Sequence, residues 1–162
     1  MAAKKTILVP IDFSPMTPRV VREAVAFARQ TGGRPAFLHV IQPPLVVTDM
    51  GGMTLEDTAQ LMTDARTWAN KRLARLRLRL RTRGIEAETI LETGAPVRCI
   101  LAETKRMKAS HILIGSHGHT AFYDLLIGST ARGVLKRANC PVVVVGPKKS
   151  ARIRPPGSAS AA

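Results

Sequence analysis

A chain of 162 residues with 45% hydrophobic content is long enough to bury one core and short for two. Four of the cations behind its formal charge of +14 (Lys148, Lys149, Arg152 and Arg154) lie in the acid-free C-terminal stretch, so residues 1–147 keep +10 and favour anionic partners without choosing among them. No apolar stretch approaches the roughly 20 residues of a membrane span, which argues against membrane insertion.

From the N-terminus, Ile7-Leu8-Val9 opens the first candidate strand, residues 6–11. Pro10 and Asp12 interrupt it too early for a signal-peptide core, so a cytoplasmic location is the default expectation. Ser14 is placed to cap a helix over 17–31, with Pro15 and Pro18 at its opening turn. A second strand is expected at 36–41, and the Pro- and Gly-rich stretch 42–54 reads as a loop.

The segment 55–83 is ambiguous, because Arg75-Leu-Arg-Leu-Arg-Leu-Arg81 alternates as a strand would. The wider spacing of Leu61, Ala65, Trp68, Ala69, Leu73, Leu76 and Leu80 decides for a helix, with Leu78 off its apolar face, Trp68 packed in the core or over the loop, and Gly84 closing it. Strands at 85–91, 111–115 and 142–146 alternate with helices at 96–108 and 129–138. Five strands alternating with four helices indicate an α/β fold, a doubly wound five-stranded parallel sheet ordered 3-2-1-4-5 with helices on both faces. Residues 1–147 are expected to form a single nucleotide-binding domain, and 148–162 a disordered basic tail. Cys99 and Cys140 have no metal-ligand spacing and read as small core residues.

The most telling pattern is Gly115-Ser116-His117-Gly118, then nine residues, then Gly128-Ser129-Thr130. Glycines at a strand end let backbone approach a ligand, and Gly-Ser-Thr at a helix start offers amides, hydroxyls and the positive end of a helix dipole. That suits a polyphosphate. In a 3-2-1-4-5 sheet, strands 1 and 4 lie side by side at the switch point, so Pro10-Ile11-Asp12 would meet the strand end 114–118, including Ile114. Asp12 is suited to ribose hydroxyls or to a Mg²⁺ ion on the phosphates, and His39-Val40-Ile41 to flanking a base. Neither a Walker-A sequence nor a Gly-x-Gly-x-x-Gly fingerprint is present.

These features resemble the universal stress protein family, in its ATP-binding branch. Val9-Pro10-Ile11-Asp12-Phe13-Ser14 is similar to the family's opening motif, Gly115-x2-Gly118-x9-Gly128-Ser129 to its glycine pattern, and Ala138-Asn139-Cys140-Pro141 followed by four valines to its closing strand. The resemblance covers residues 4–146. It implies ATP with adenine near Val40, ribose near Asp12 and phosphates at Gly115, His117, Gly118, Gly128, Ser129 and Thr130, with Pro10 and Ile114 at the strand ends. It also implies a homodimer, often paired through the final strand, and a regulatory role in stress response. Phe122, Tyr123 and Asp124 depart from the pattern, and Asp124 beside phosphates is unfavourable unless a cation intervenes or it points away.

The residues show no nucleophile–base pair, so at most slow ATP hydrolysis is expected, with Asp12, His117 and Mg²⁺ as its candidates. Two histidines one residue apart, His117 and His119, are weak evidence of a metal site. The acid-free run from Lys71 to Arg83 reads first as a solvated helix surface and second, with the tail, as a nucleic-acid contact. One Trp, one Tyr and four Phe, none interleaved with that run, argue against base stacking. The downstream protein partner is not legible.

Overall fold

The computed structural model describes residues 5–44, 54–116 and 127–147. In chain order they form β1 (Thr6–Pro10), α1 (Thr17–Thr31), β2 (Arg34–Ile41), α2 (Leu55–Arg81), β3 (Glu88–Thr93), α3 (Pro96–Arg106), β4 (His111–Gly115), α4 (Ser129–Leu135) and β5 (Val142–Val145). The strands make one parallel sheet ordered β3-β2-β1-β4-β5, as the alternation of elements predicts.

The period of two along each strand divides the core into two layers. Ile7, Val9, Phe37, Leu113 and Val145 point to one face, where they pack with Val20, Ala24 and Ala28 of α1 and Leu73, Leu76 and Leu80 of α2. Leu8, Ala36, Leu38, Ile112 and Ile114 point to the other, against Ile100 of α3 and Ala131 and Val134 of α4. Right-handed crossovers explain the partition. The chain steps from β1 to β3 in one direction and from β3 to β5 in the other, which sends α1 and α2 to one face and α3 and α4 to its opposite. The central strands are buried on both sides, each fully buried aliphatic side chain contributing about 1.5–3 kcal/mol.

Burial settles the ambiguous helix. Ala69, Leu73, Leu76 and Leu80 are buried along one stripe of α2, while Leu78 is 61% exposed. Trp68 is 48% exposed and stands outside the core. Gly84 adopts φ +69°, a conformation that lets Ile85 donate back to the Leu80 carbonyl at 3.0 Å and close the helix.

Other boundaries move. Ser14 is not the N-cap of α1; Met16 holds that position, and the Ser14 hydroxyl instead accepts from the Met16 amide at 3.3 Å. The third strand begins at Glu88 rather than residue 85, because Ile85 and Ala87 pack against the core beneath α2 before pairing with β2 begins at Ala36 and Glu88. Both cysteines are half-buried free thiols, and burial pushes each above its ordinary value of 9.0, so neither is a thiolate at neutral pH.

Candidate functional site

The carboxyl ends of β1 and β4 lie at the switch point, and each is held by hydrogen bonds that leave a hollow between them. Past β1, the Ile11 amide donates to the Leu38 carbonyl at 2.8 Å, continuing the ladder for one residue. The chain then turns sharply at Phe13, whose φ of 60° is left-handed and costs a non-glycine residue roughly 1–2 kcal/mol. Asp12 holds this turn: its Oδ1 accepts from the Ser14 amide at 3.0 Å and the Thr17 hydroxyl at 3.4 Å. Past β4, the amide of buried Ser116 donates to the Val145 carbonyl at 2.8 Å, and the Ser116 carbonyl accepts from the Gly128 amide at 2.7 Å. The chain leaving β4 and the chain entering α4 are thereby pinned together.

Between these ends is a cavity of about 350 Å³, within the range of roughly 300–1,000 Å³ usual for small-molecule sites. Of the sequence-predicted residues, Pro10, Asp12, Val40, Ile114, Gly115, Gly128, Ser129 and Thr130 line it. His117 and Gly118 lie outside the described residues, as do Phe122, Tyr123 and Asp124. The cavity also has walls that sequence reasoning missed, among them Thr17 of α1, Gln42 beyond β2, and Pro96 and Ile100 of α3. The period of two carried the signal for one of them, since Leu38, Val40 and Gln42 share a face of β2. It equally removes His39, whose Nδ1 donates to the Ile11 carbonyl at 2.9 Å and whose ring sits 4.7 Å from that of Phe13.

The electrostatics of the cavity come from backbone. The opening turns of α1, α3 and α4 all contribute to its lining. None has a side-chain cap hydrogen bond, and none carries an acidic residue in its first turn. The α3 and α4 ends therefore open toward the hollow with little compensation. At α1, by contrast, the Met16 and Thr17 amides are bound by the Ser14 hydroxyl and carbonyl, Pro18 has no amide hydrogen, and the Asp12 carboxylate sits beside Thr17. The opening turn of α2, which does not line the cavity, is the opposite case. Thr54 and Asp57 form a reciprocal capping box there, with Glu56 and Asp57 in the first turn. Asp12 is the only acid among the described lining residues, and no Lys, Arg or His is among them. Arg132 is exposed and donates to the Ile127 carbonyl at 3.1 Å, away from the cavity lining.

Doubly wound α/β sheets bind ligands at the switch point, outside the carboxyl ends of the strands, and the hollow lies there. The profile of the universal stress protein family matches residues 4–146, and the chain belongs to that family. It is 27% identical to the universal stress protein YxiE of Bacillus subtilis over 143 residues, covering 86% of this chain and 97% of that protein. It is also 27% identical to the universal stress protein MJ0577 of Methanocaldococcus jannaschii, with 90% and 97% of the two chains covered. The solved structure of MJ0577 superposes with a TM-score of 0.76 over 90% of this chain and 98% of that one. The universal stress protein from Archaeoglobus fulgidus in complex with dAMP shares the fold at 24% identity and a TM-score of 0.57, covering 89% and 98%.

Among the described residues no helix is long and apolar enough to cross a membrane, and no three His, Cys, Asp or Glu side chains gather as a metal group.

Proposed function

We propose that this chain binds ATP in the switch-point cavity and acts as a regulatory nucleotide-binding module in the stress response. The observation that carries the reading is a cavity at the switch point onto which the N-termini of α3 and α4 open and whose described lining holds one carboxylate. Adenine packs near Val40, where Leu38 and Ile114 supply apolar contact. The ribose hydroxyls donate to Asp12. The phosphates lie toward Gly115, His117, Gly118, Gly128, Ser129 and Thr130. A relative of the same fold in complex with dAMP fits this chemistry.

Where Mg²⁺ accompanies the phosphates, Asp12 would be its protein ligand in place of the ribose contact, since Mg²⁺ sites commonly combine one or two carboxylates with substrate phosphates. The ion would offset phosphate charge. In this reading ATP hydrolysis is at most slow, with Asp12 and His117 as its candidate residues. The protein works in the cytoplasm as a homodimer: β5 is an edge strand of the sheet and its unpaired side can meet a second copy.

Calorimetric titration with ATP and Mg²⁺, on the native chain and on Gly118→Val, tests the reading. Micromolar binding that disappears in a variant with unchanged circular dichroism is the expected result. Absence of binding to nucleotide-free native protein refutes it.

A further inference from the structure

A second feature is a groove of about 1160 Å³ between α1 and α2. It begins beside the nucleotide cavity, since Thr17 lines both, and it runs along the opposite helix layer. Its floor is apolar. Val21 and Val25 of α1, Leu76 and Leu80 of α2, and Ile85 beyond α2 line it, and Val21, Val25 and Ile85 are only partly buried against the core. Its walls are cationic. Arg22 and Arg29 of α1 face Arg72, Arg75 and Arg79 of α2 and Arg83 beyond it, and no Asp or Glu lines the groove. One end is closed by aromatic rings: Phe13 and Trp68 meet edge to face at 5.3 Å, and the Arg72 guanidinium lies 4.9 Å and 4.8 Å from their centroids.

We propose that this groove is a docking site for an acidic amphipathic helix of a partner protein, independent of the nucleotide reading. Two complementarities select that occupant. An apolar floor between two rows of cations matches a helix with a hydrophobic stripe flanked by carboxylates, the helix-in-groove mode of recognition. Length agrees as well. From Thr17 to Val25, α1 offers about 12 Å, and from Trp68 to Arg79, α2 offers about 17 Å, enough for two to three turns of a bound helix. A nucleic acid would use the arginines but leave the apolar floor unfilled, and it would find aromatic rings at one end only. The lone tryptophan of the chain, Trp68, is 48% exposed at the groove's end and supplies the reporter.

The test follows Trp68 emission while the full chain is titrated with a synthetic helical peptide of about 14 residues, roughly four turns. Its leucines are spaced to form one stripe, with glutamates on either side. The same titration is run with a peptide of identical composition and scrambled order, and with a single-stranded oligonucleotide. The amphipathic peptide is expected to bind saturably and at least ~10-fold more tightly than the scrambled one, its affinity falling with added salt. Arg75→Glu with Arg79→Glu should weaken it by at least ~10-fold, and Val25→Ser by several-fold, with circular dichroism unchanged. If the charge reversal does not fold, Arg75→Gln with Arg79→Gln makes the same test. Equal binding of the scrambled peptide overturns the proposal, because charge alone would then suffice. Tighter binding of the oligonucleotide, lost in the same arginine variant, assigns the groove to nucleic acid instead. A change in Trp68 emission on concentrating the chain alone places a second copy there and likewise overturns it.

Discussion

Gly133 of α4 offers the sharpest test of how the helix bearing Gly128, Ser129 and Thr130 is seated. A Cβ at this position would lie 2.7 Å from Cγ2 and 3.3 Å from Cγ1 of Val97 on α3, closer than carbon atoms pack. Valine has little rotamer freedom in a helix, so α4 itself must shift. Gly133→Ala gains about 1 kcal/mol of helix propensity, and overpacking costs about 1–3 kcal/mol. A net destabilisation of about 1 kcal/mol is expected. Val97→Ala alone removes two half-buried methyl groups, for about 1 kcal/mol. In the double variant the clash is gone and the propensity gain remains, so stability should return to within ~0.5 kcal/mol of the native chain, a coupling of about 2 kcal/mol. Urea midpoints at constant m-value measure all four proteins. Because a displaced α4 moves the backbone proposed to receive the phosphates, ATP affinity should fall several-fold in Gly133→Ala and recover in the double variant. Additive effects, or a single variant stabilised by the full propensity gain, would show that α3 and α4 do not meet there.

Gly33→Ala should be harsher. Its Cβ would stand 2.8 Å from Ile7 Cδ1 and 2.9 Å from the Lys5 backbone carbonyl, and backbone at a strand start cannot give way, so a loss of about 2–3 kcal/mol is expected in thermal or urea unfolding. Asp12→Asn keeps an oxygen for the Ser14 amide and should leave the melting temperature nearly unchanged, while ATP affinity falls about 10-fold as charge-assisted bonds to ribose are lost; unchanged affinity would remove Asp12 from the site. At the start of α2, the Thr54 hydroxyl and amide donate to Asp57 Oδ2 at 2.7 and 3.0 Å and hold its carboxyl below the ordinary 3.8. Its contribution to stability is fully present above pH 3.8 and is lost as pH falls through the depressed folded-state value. Carboxyl NMR titration of Thr54→Ala should bring the Asp57 midpoint back up toward 3.8, and an unchanged midpoint would mean that the capping box does not form in solution.

The sheet was legible because its signals are local. Ile7-Leu8-Val9, Ile112-Leu113-Ile114 and the four valines of β5 are apolar runs that only a strand buried on both faces, or one close to it, accommodates. The sequence pattern starts β3 three residues early, since the strand lies at the sheet's edge, is half-buried throughout, and ends in Glu92 and Thr93, whose inclusion depends on pairing with Val40 and Ile41. The glycines and Asp12 announced a site, but its walls at Pro96 and Ile100 come from a helix on the far side of the sheet order, and no local pattern carries that contact. The groove was invisible for the same reason. Alternating Arg and Leu in α2 shows a cationic face, and only the placement of α1 opposite Arg75 and Arg79 makes that face one wall of a cleft.

The central claim is that ATP occupies the hollow between the ends of β1 and β4. The most direct measurement is an amide-resolved NMR titration of the full chain with ATP and Mg²⁺. Saturable shifts are expected at Ile11, Asp12, Thr17, Val40, Gly115 and Gly128 through Ala131, with the amides of α2 between Lys71 and Arg81 unmoved. Shifts confined to those α2 amides, or none at the strand ends at millimolar ATP, would contradict it.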